Sequence, residues 1–200
     1  MSKVQVDTID TRSGTSTMQI GSTNTTTINL GVSGDTVNIP SGVTIANAGT
    51  ATGFGESNTP AFRVRSSAGQ SVSNTTWTKI EFDAEDKDTD SAFDLSNERF
   101  TVPSGEGGLY SFQWSIENNG KVASNAYYGV ALYKNGASQT ALQSRFNPTT
   151  TGTYDVYNNG GGGIVLAAGD YVELFFYQNT GGSVTLEGNY RSWTGFKVTE

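Results

Sequence analysis

Apolar and polar residues alternate along this chain in two different ways. In the first 50 residues, pairs of small apolar residues are separated by one polar residue, and most are followed closely by Gly, Pro or Asn. Such short alternating runs between turn-forming residues are typical of very short β-strands. The pairs are Met18 and Ile20, Ile28 and Leu30, Val37 and Ile39, and Val43 and Ile45.

This N-terminal segment cannot fold by itself. Each short strand offers only about two apolar side chains, which does not offset an ordering cost of ~1–2 kcal/mol per residue. The segment is therefore either disordered, as its Thr, Ser and Gly content favours, or buried against copies of itself. The regular spacing favours an intertwined β-rich stalk over residues 1–50 that attaches the protein to a larger particle. The predicted attachment residues are Val4, Val6, Ile9, Met18, Ile20, Ile28, Leu30, Val37, Ile39, Val43 and Ile45.

After a predicted linker at 51–59, residues 60–200 have the pattern of a β-sandwich. Turn-forming residues recur at intervals of ~8–12 residues, and no stretch shows sustained helical spacing of apolar residues. The clearest strand is Leu109–Ile116, in which every second side chain is apolar and the others are mostly polar. The pattern predicts an all-β head domain of two sheets. The apolar face of its clearest strand is formed by Tyr110, Phe112, Trp114 and Ile116.

Two further strands, at 127–133 and 171–177, are apolar on both faces. One face can pack inside a sandwich, while the other carries aromatic rings. These rings could rest on the surface, which amphipathic side chains tolerate, but together they would form a larger apolar patch than monomers usually expose. We therefore expect a subunit interface at this second face. Its predicted residues are Tyr127, Tyr133, Tyr171, Phe175 and Tyr177.

Composition narrows the range of functions. The chain has no His and no Cys, which excludes Ser-His-Asp and Cys-His catalysis and ordinary zinc sites. Its net charge of −7 argues against a nucleic-acid partner, which needs clustered Lys and Arg. No apolar run approaches the ~20 residues that span a bilayer, and the start MSKVQVDTID lacks the apolar core of a signal peptide. We therefore expect a protein without catalytic activity, cofactor or membrane insertion.

The densest acidic stretch is the candidate for metal chemistry. Asp86, Asp88 and Asp90 stand at alternate positions, as oxygen ligands do at the start of a calcium loop. The pattern then departs from such a loop, because Ser91 occupies the position of the turn glycine and the closing Glu is absent. A solvated acidic loop is therefore the favoured interpretation, with calcium binding by these three residues as the alternative.

A run of four glycines, Gly160–Gly163, is the other distinctive motif. It lacks the Lys-Ser/Thr pair that follows the glycines of a phosphate-binding loop, and no helix pattern begins there. The run is therefore predicted to be a flexible loop that precedes a strand at residues 164–167.

Four ordered motifs carry a resemblance to a known family. FDLSNERFTVPSGEGGLYSF (93–112) resembles the signature of the complement and tumour-necrosis-factor jelly-roll superfamily, and in particular the globular head of the recognition subunit of the first complement component. LYKNG (132–136), LAAGDYVELFF (166–176) and SWTGFKV (192–198) agree with it in order. The resemblance implies an antiparallel ten-strand jelly roll over about residues 60–200 that forms tight homotrimers around aromatic strand faces. Some members of the family bind calcium at the trimer.

The first 50 residues differ from the collagen stalks of the animal members, because Gly does not recur at every third position. They resemble instead the short β-structured stalks of tailed-bacteriophage fibres. Together the two resemblances predict a homotrimeric, non-enzymatic virion surface protein, made in the host cytoplasm. A fibre or knob of this kind would dock to capsid or tail proteins by its N-terminus and present its head to a host cell-surface glycan or protein.

Three alternatives remain open from the sequence. The first is a capsid decoration protein that does not bind the host. The second is a secreted lectin-like recognition head, which would need an export signal. The third is a depolymerase that acts through surface carboxylates.

Overall fold

The computed structural model describes residue 20 and residues 23–46, 58–119 and 121–199. The predicted attachment residues Val4, Val6, Ile9 and Met18 lie outside these ranges. By its internal contacts the chain divides into two units, Met1–Thr52 and Gly53–Glu200. The described residues contain no helix long and apolar enough to cross a membrane.

The second unit is built from antiparallel β-strands. Most belong to two six-stranded sheets, one with the order β12-β7-β14-β1-β4 and the other with the order β10-β9-β13-β6-β5. In addition, β2 pairs with β14, β3 pairs with β13, and β8 and β11 form a separate two-stranded sheet. The strands are β1 (Ala61–Ser66), β2 (Gln70–Val72), β3 (Thr78–Lys79), β4 (Ala84–Asp88), β5 (Phe93–Asp94), β6 (Arg99–Thr101), β7 (Gly108–Asn119), β8 (Lys121–Val122), β9 (Tyr128–Lys134), β10 (Ala137–Phe146), β11 (Gly152–Thr153), β12 (Val156–Leu166), β13 (Tyr171–Gln178) and β14 (Val184–Thr199).

The prediction of an all-β sandwich is confirmed. Short pairings divide the sheets of the described residues into more segments than the ten strands that the resemblance implies. We call the sheet that contains β12 and β14 the first sheet, and the sheet that contains β10 and β13 the second sheet.

Apolar side chains from both sheets fill the space between them. Alternate residues of β7 and β9 point inwards, so that Tyr110 and Phe112 meet Tyr128 and Val130 in one core cluster. The centre of this core is aromatic. The Phe62 ring lies 4.9 Å from that of Phe93 and 5.0 Å from those of Phe100 and Trp193, measured between ring centroids.

The first and last strands of the head lie side by side. Ala61 of β1 is opposite Phe196 of β14, and the Lys197 amide donates to the Pro60 carbonyl at 3.1 Å. The Asn58 side chain adds a hydrogen bond to the Lys197 carbonyl at 3.0 Å. The chain therefore enters the sandwich and completes its last strand at the same end.

Glu98 brings an acidic group into the half-buried space between the β5–β6 turn and Phe82. Its carboxylate accepts a hydrogen bond from the Phe82 amide at 2.8 Å. Burial, together with the neighbouring charge of Glu81, raises the pKa of Glu98 to about 7. The folded protein therefore holds a proton that the unfolded chain releases near its ordinary pKa of 4.5.

Glu98 should make the head less stable as the pH rises from about 4.5 to about 7, because the unfolded state binds fewer protons in this window. The variant Glu98→Gln keeps an oxygen acceptor for Phe82 and removes the ionisation. We expect it to be more stable than the wild type by about 2 kcal/mol at pH 8, which is less than the full pKa shift would give because water screens a half-buried group, and nearly equal to it at pH 4.5. Urea unfolding of both proteins at the two pH values measures this. An equal difference between the proteins at both pH values would contradict the assignment.

Candidate interaction surfaces

Four of the five predicted interface residues come together on the outer face of the second sheet. Tyr127, Tyr133, Phe175 and Tyr177 pack there with Trp77, and we call these five residues the aromatic cluster. The rings of Tyr133 and Phe175 lie 4.2 Å apart, and Trp77 lies 5.3 Å from Tyr177. Trp77 is not among the interface residues predicted from the sequence.

The rings of the aromatic cluster cover one another within the single chain, and all five are half-buried. Tyr127 lies flat across Gly129, where a Cβ atom would collide with its ring, and the Arg145 guanidinium lies 4.5 Å from the centre of the same ring. Tyr171 lies further along β13, where Arg99 stacks on it at 4.0 Å. The sequence pattern suggested that these rings have no partners within a monomer. Because the rings cover one another in the single chain, one reason for expecting a subunit interface at this face is weakened. A subunit interface at this face remains a prediction.

The four glycines form the middle of an edge strand of the first sheet. Gly160–Gly163 belong to β12 and pair in register with Trp114 to Ser111 of β7, so the prediction of a flexible loop is wrong. The reason is close packing. A Cβ atom on Gly160 would lie 2.6 Å from the Trp114 ring, and one on Gly161 would collide with the carbonyl oxygen of Phe112. Glycine inside a strand often marks such a close approach.

The two edges of the first sheet differ in length and charge. At one edge, β4 is five residues long and carries charged side chains at all positions but Ala84. At the other edge, β12 is eleven residues long and has no charged residue. Short, charged edge strands resist pairing with other chains, whereas long uncharged ones invite it. We call β12 the glycine edge.

Large exposed apolar side chains lie on and near the glycine edge. Val165 and Tyr157 of β12 are 69% and 53% exposed, and Tyr190 and Val198 of β14 are also exposed. Tyr157 and Val165 lie at opposite ends of β12, opposite Glu117 and Leu109 of β7. In contrast to the aromatic cluster, these side chains gain little cover from their own chain.

The acidic stretch is a paired strand rather than a loop. Within it, β4 runs beside β1, and the Asp86 carboxylate bonds the Nε atoms of Arg63 at 3.2 Å and Arg65 at 2.9 Å. The hydrogen bond from Arg65 holds the pKa of Asp86 below its usual value. The interpretation as a solvated loop therefore needs correction for the residues in β4, because their backbone joins the first sheet.

The other two calcium candidates also have protein partners. Asp88 accepts hydrogen bonds from the amides of Phe93 at 2.8 Å and Ala92 at 3.1 Å, and Asp90 accepts one from the Thr89 hydroxyl. In the described parts of the chain, no three acidic side chains gather as a metal site requires. Calcium binding by Asp86, Asp88 and Asp90 would require several of these hydrogen bonds to break.

The described part of the N-terminal unit is extended and interrupted by turns. Backbone hydrogen bonds close reverse turns from Val32 to Asp35 at 3.0 Å and from Pro40 to Val43 at 3.2 Å. No strand is formed over 23–46, so the short strands predicted within this range are absent from it, and the one predicted at Met18 and Ile20 lies mostly outside the described residues. The predicted attachment residues in the described range are all exposed, namely Ile20, Ile28, Leu30, Val37, Ile39, Val43 and Ile45.

Comparisons with known proteins give one relative by sequence. The uncharacterized protein YqcC of Bacillus subtilis is 32% identical to this chain over 117 residues, which are 55% of this chain and 30% of YqcC. The chain therefore spans less than a third of the length of that relative. No protein-family model matches the chain.

Solved structures show the fold of the head. The globular domain of the zebrafish complement 1qA protein superposes with a TM-score of 0.50 at 17% identity, covering 70% of this chain and 98% of that one. The Eiger TNF of S. frugiperda superposes with a TM-score of 0.51 at 14% identity, covering 70% of this chain and 92% of that one. The head therefore has the jelly-roll fold of complement C1q and tumour-necrosis-factor domains, as the resemblance predicted.

Proposed function

We propose that this chain is the subunit of a homotrimeric, non-enzymatic binding protein on the surface of a virus particle. The head binds a host or surface ligand, and the N-terminal segment attaches the trimer to capsid or tail proteins. One observation carries the assembly part of the proposal. Each unit exposes large apolar side chains to water. In the head these lie on and near the glycine edge, and in the N-terminal unit they are the predicted attachment residues between Ile20 and Ile45.

The glycine edge is the best-supported interface of the head. Its eleven uncharged residues offer an unpaired backbone, and its glycines leave a flat surface that a neighbouring subunit can approach closely. Val165 stands at one end of this edge with 69% of its surface exposed. Contact with a neighbouring subunit would cover it, whereas the rings of the aromatic cluster already cover one another.

The N-terminal segment supports the same conclusion by a separate route. Its apolar pairs within 23–46 are exposed, and the turns between them leave each pair free to meet the same pair of another copy. Parallel association of three copies would bury these pairs and supply the burial that one copy lacks. The resemblance to phage-fibre stalks rests on this segment. A trimer also presents three identical binding sites, so that weak contacts with a surface gain avidity.

The full chain should behave as a trimer in light scattering, with a mass near three times 21.2 kDa. Val165→Asp should weaken association of the head, because it places a charge in the proposed interface. The matched control Lys87→Asp, on the opposite edge strand β4, should leave the mass unchanged. Chemical unfolding of each variant establishes that it is folded.

Two outcomes would overturn the assembly part of this proposal. A monomeric, folded wild-type chain would exclude the trimer. If Val165→Asp stays as associated as the wild type while Tyr177→Ser dissociates, the interface lies at the aromatic cluster instead.

The particle role is tested by antibody labelling of particles from lysed producer cells. Labelled capsids without cell binding would favour a decoration protein, and unlabelled particles would exclude a virion protein.

A further inference from the structure

A pocket of about 170 Å³ opens on the outer face of the first sheet. Its floor follows the pairing of three strands, because Arg65 of β1 is opposite Ser192 of β14, and Ser192 is opposite Ser115 of β7. Arg63 adds a second cation, and Tyr157 and Tyr190 contribute aromatic rings. The pocket is thus a polar row across neighbouring strands with two tyrosines beside it.

The two arginines give one end of the pocket a local excess of positive charge. Both bond the single carboxylate of Asp86 through their Nε atoms, so two cations share one anion. Their side chains remain about half exposed, at 54% and 50%. Within the described residues, their terminal guanidinium nitrogens have no hydrogen-bond partner. Free guanidinium ends of this kind bind a carboxylate with two parallel hydrogen bonds.

The tyrosines supply the apolar part of the pocket. Tyr157 and Tyr190 lie on the outer face of the sheet and are 53% and 58% exposed. Behind Tyr157, directly opposite it in the β7–β12 pairing, lies Glu117, which is 3% exposed. One oxygen of the Glu117 carboxyl is buried without a hydrogen-bond partner. The Glu117 carboxyl accepts a hydrogen bond from the Tyr157 hydroxyl, which helps to hold that ring beside the pocket.

The size of the pocket limits what it can hold. Pockets for drug-sized ligands measure roughly 300–1,000 Å³, so about 170 Å³ accommodates a single ring-sized unit. The hydroxyl groups of Ser115 and Ser192 on the floor suit a ring that carries many hydroxyl groups. The exposed tyrosines suit the apolar face of such a ring, and the arginines suit a carboxylate. An acidic sugar unites these three features in one ring.

We propose that this pocket binds a carboxylate-bearing sugar unit of a surface polysaccharide. The proposal rests on the proposed binding function of the head and names the class of its ligand. Arg63 and Arg65 bind the carboxylate, Ser115 and Ser192 bind hydroxyl groups, and Tyr157 and Tyr190 pack against the ring. The pocket is compatible with an interface at the Gly160–Val165 part of the glycine edge, because Tyr157 lies at the other end of β12.

Saturation-transfer NMR of the full chain with sodium glucuronate, and with glucose as the neutral counterpart, tests this inference. We expect glucuronate to bind at least tenfold more tightly than glucose. The double variant Arg63→Ser, Arg65→Ser should lose at least tenfold in glucuronate affinity. The control Arg145→Ser, which removes an exposed cation from the second sheet, should bind glucuronate as the wild type does. Tyr190→Ala, at an exposed position, should weaken the binding of glucuronate without loss of folding.

Equal binding of the two sugars, absence of glucuronate binding, or undiminished binding by the double arginine variant would each overturn the inference. Light scattering and cell binding of the same samples separate this result from the proposed function. A trimeric wild type that binds cells equally well with and without the two arginines keeps the proposed function and refutes the pocket. A monomeric wild type that binds glucuronate through the arginines keeps the pocket and refutes the trimer of the proposed function.

Discussion

Replacement of Gly161 by alanine is expected to destabilise the head by about 2–3 kcal/mol, a typical cost of forcing extra atoms into a packed site. A Cβ atom at this position would collide with the Phe112 carbonyl oxygen and lie 3.1 Å from the Cα atom of Gln113. Both atoms belong to the backbone of β7, the neighbouring strand. Relief of the clash would therefore move a strand and weaken its hydrogen bonds, since no flexible side chain can turn aside.

Gly163→Ala is the matched control for this variant. The two positions lie two residues apart on the same strand and face, but a Cβ atom on Gly163 would meet its nearest neighbour, the Leu109 side chain, at 3.4 Å. That distance is an ordinary contact, and alanine also restricts the unfolded chain. Urea unfolding at one protomer concentration should give a clearly lower midpoint for Gly161→Ala and a nearly unchanged midpoint for Gly163→Ala. Equal midpoints would show that β12 is not packed against β7 as described.

Glu173→Gln should cost the head about 2–4 kcal/mol, because the change removes the common partner of two cations in a nearly buried site. The Glu173 side chain is 5% exposed, and one of its oxygens bonds Lys79 at 2.7 Å and Arg99 at 2.8 Å. These bonds connect β13 to β3 and β6, the short strands of the second sheet. Without the negative charge, the two cations repel each other, and the amide oxygen of Gln is a weaker acceptor for them than a carboxylate.

Asp86→Asn is the control for burial. Asp86 also bonds two cations, Arg63 and Arg65, but all three side chains are much more open to water. Exposed ion pairs contribute little to stability, so this variant should unfold almost as the wild type does. Thermal unfolding of both variants and the wild type at pH 7 provides the measurement. A loss of stability as large for Asp86→Asn as for Glu173→Gln would mean that burial does not determine how much these ion pairs contribute to the free energy of unfolding.

The strands with long alternating patterns could be predicted from the sequence. In β7, apolar side chains at every second position are sufficient to define a core face, because the repeat of a strand is two residues. The aromatic rings on the outer faces of β9 and β13 could be predicted in the same way. Their partner Trp77 could not, because it comes just before β3, a strand of two residues that exists only through its pairing with β13.

The features that depend on distant contacts could not be predicted. Four consecutive glycines resemble a loop locally, and only the Trp114 ring, which lies over Gly160, explains why a strand needs them. The acidic stretch resembles a loop for a similar reason. Its place in the first sheet depends on pairing with β1, about 20 residues earlier in the chain. The polar row of the pocket likewise joins residues from strands far apart in sequence.

The pairing of β1 with β14 makes the head a convenient module for engineering. Because the two strands begin and end side by side, the head can be excised or inserted into a host protein as one piece with a short pair of connections. A peptide fused after β14 would emerge beside the point of entry. A guest sequence meant for display at the far end belongs instead in the turn before β14, where Gly181 and Gly182 have open space around them.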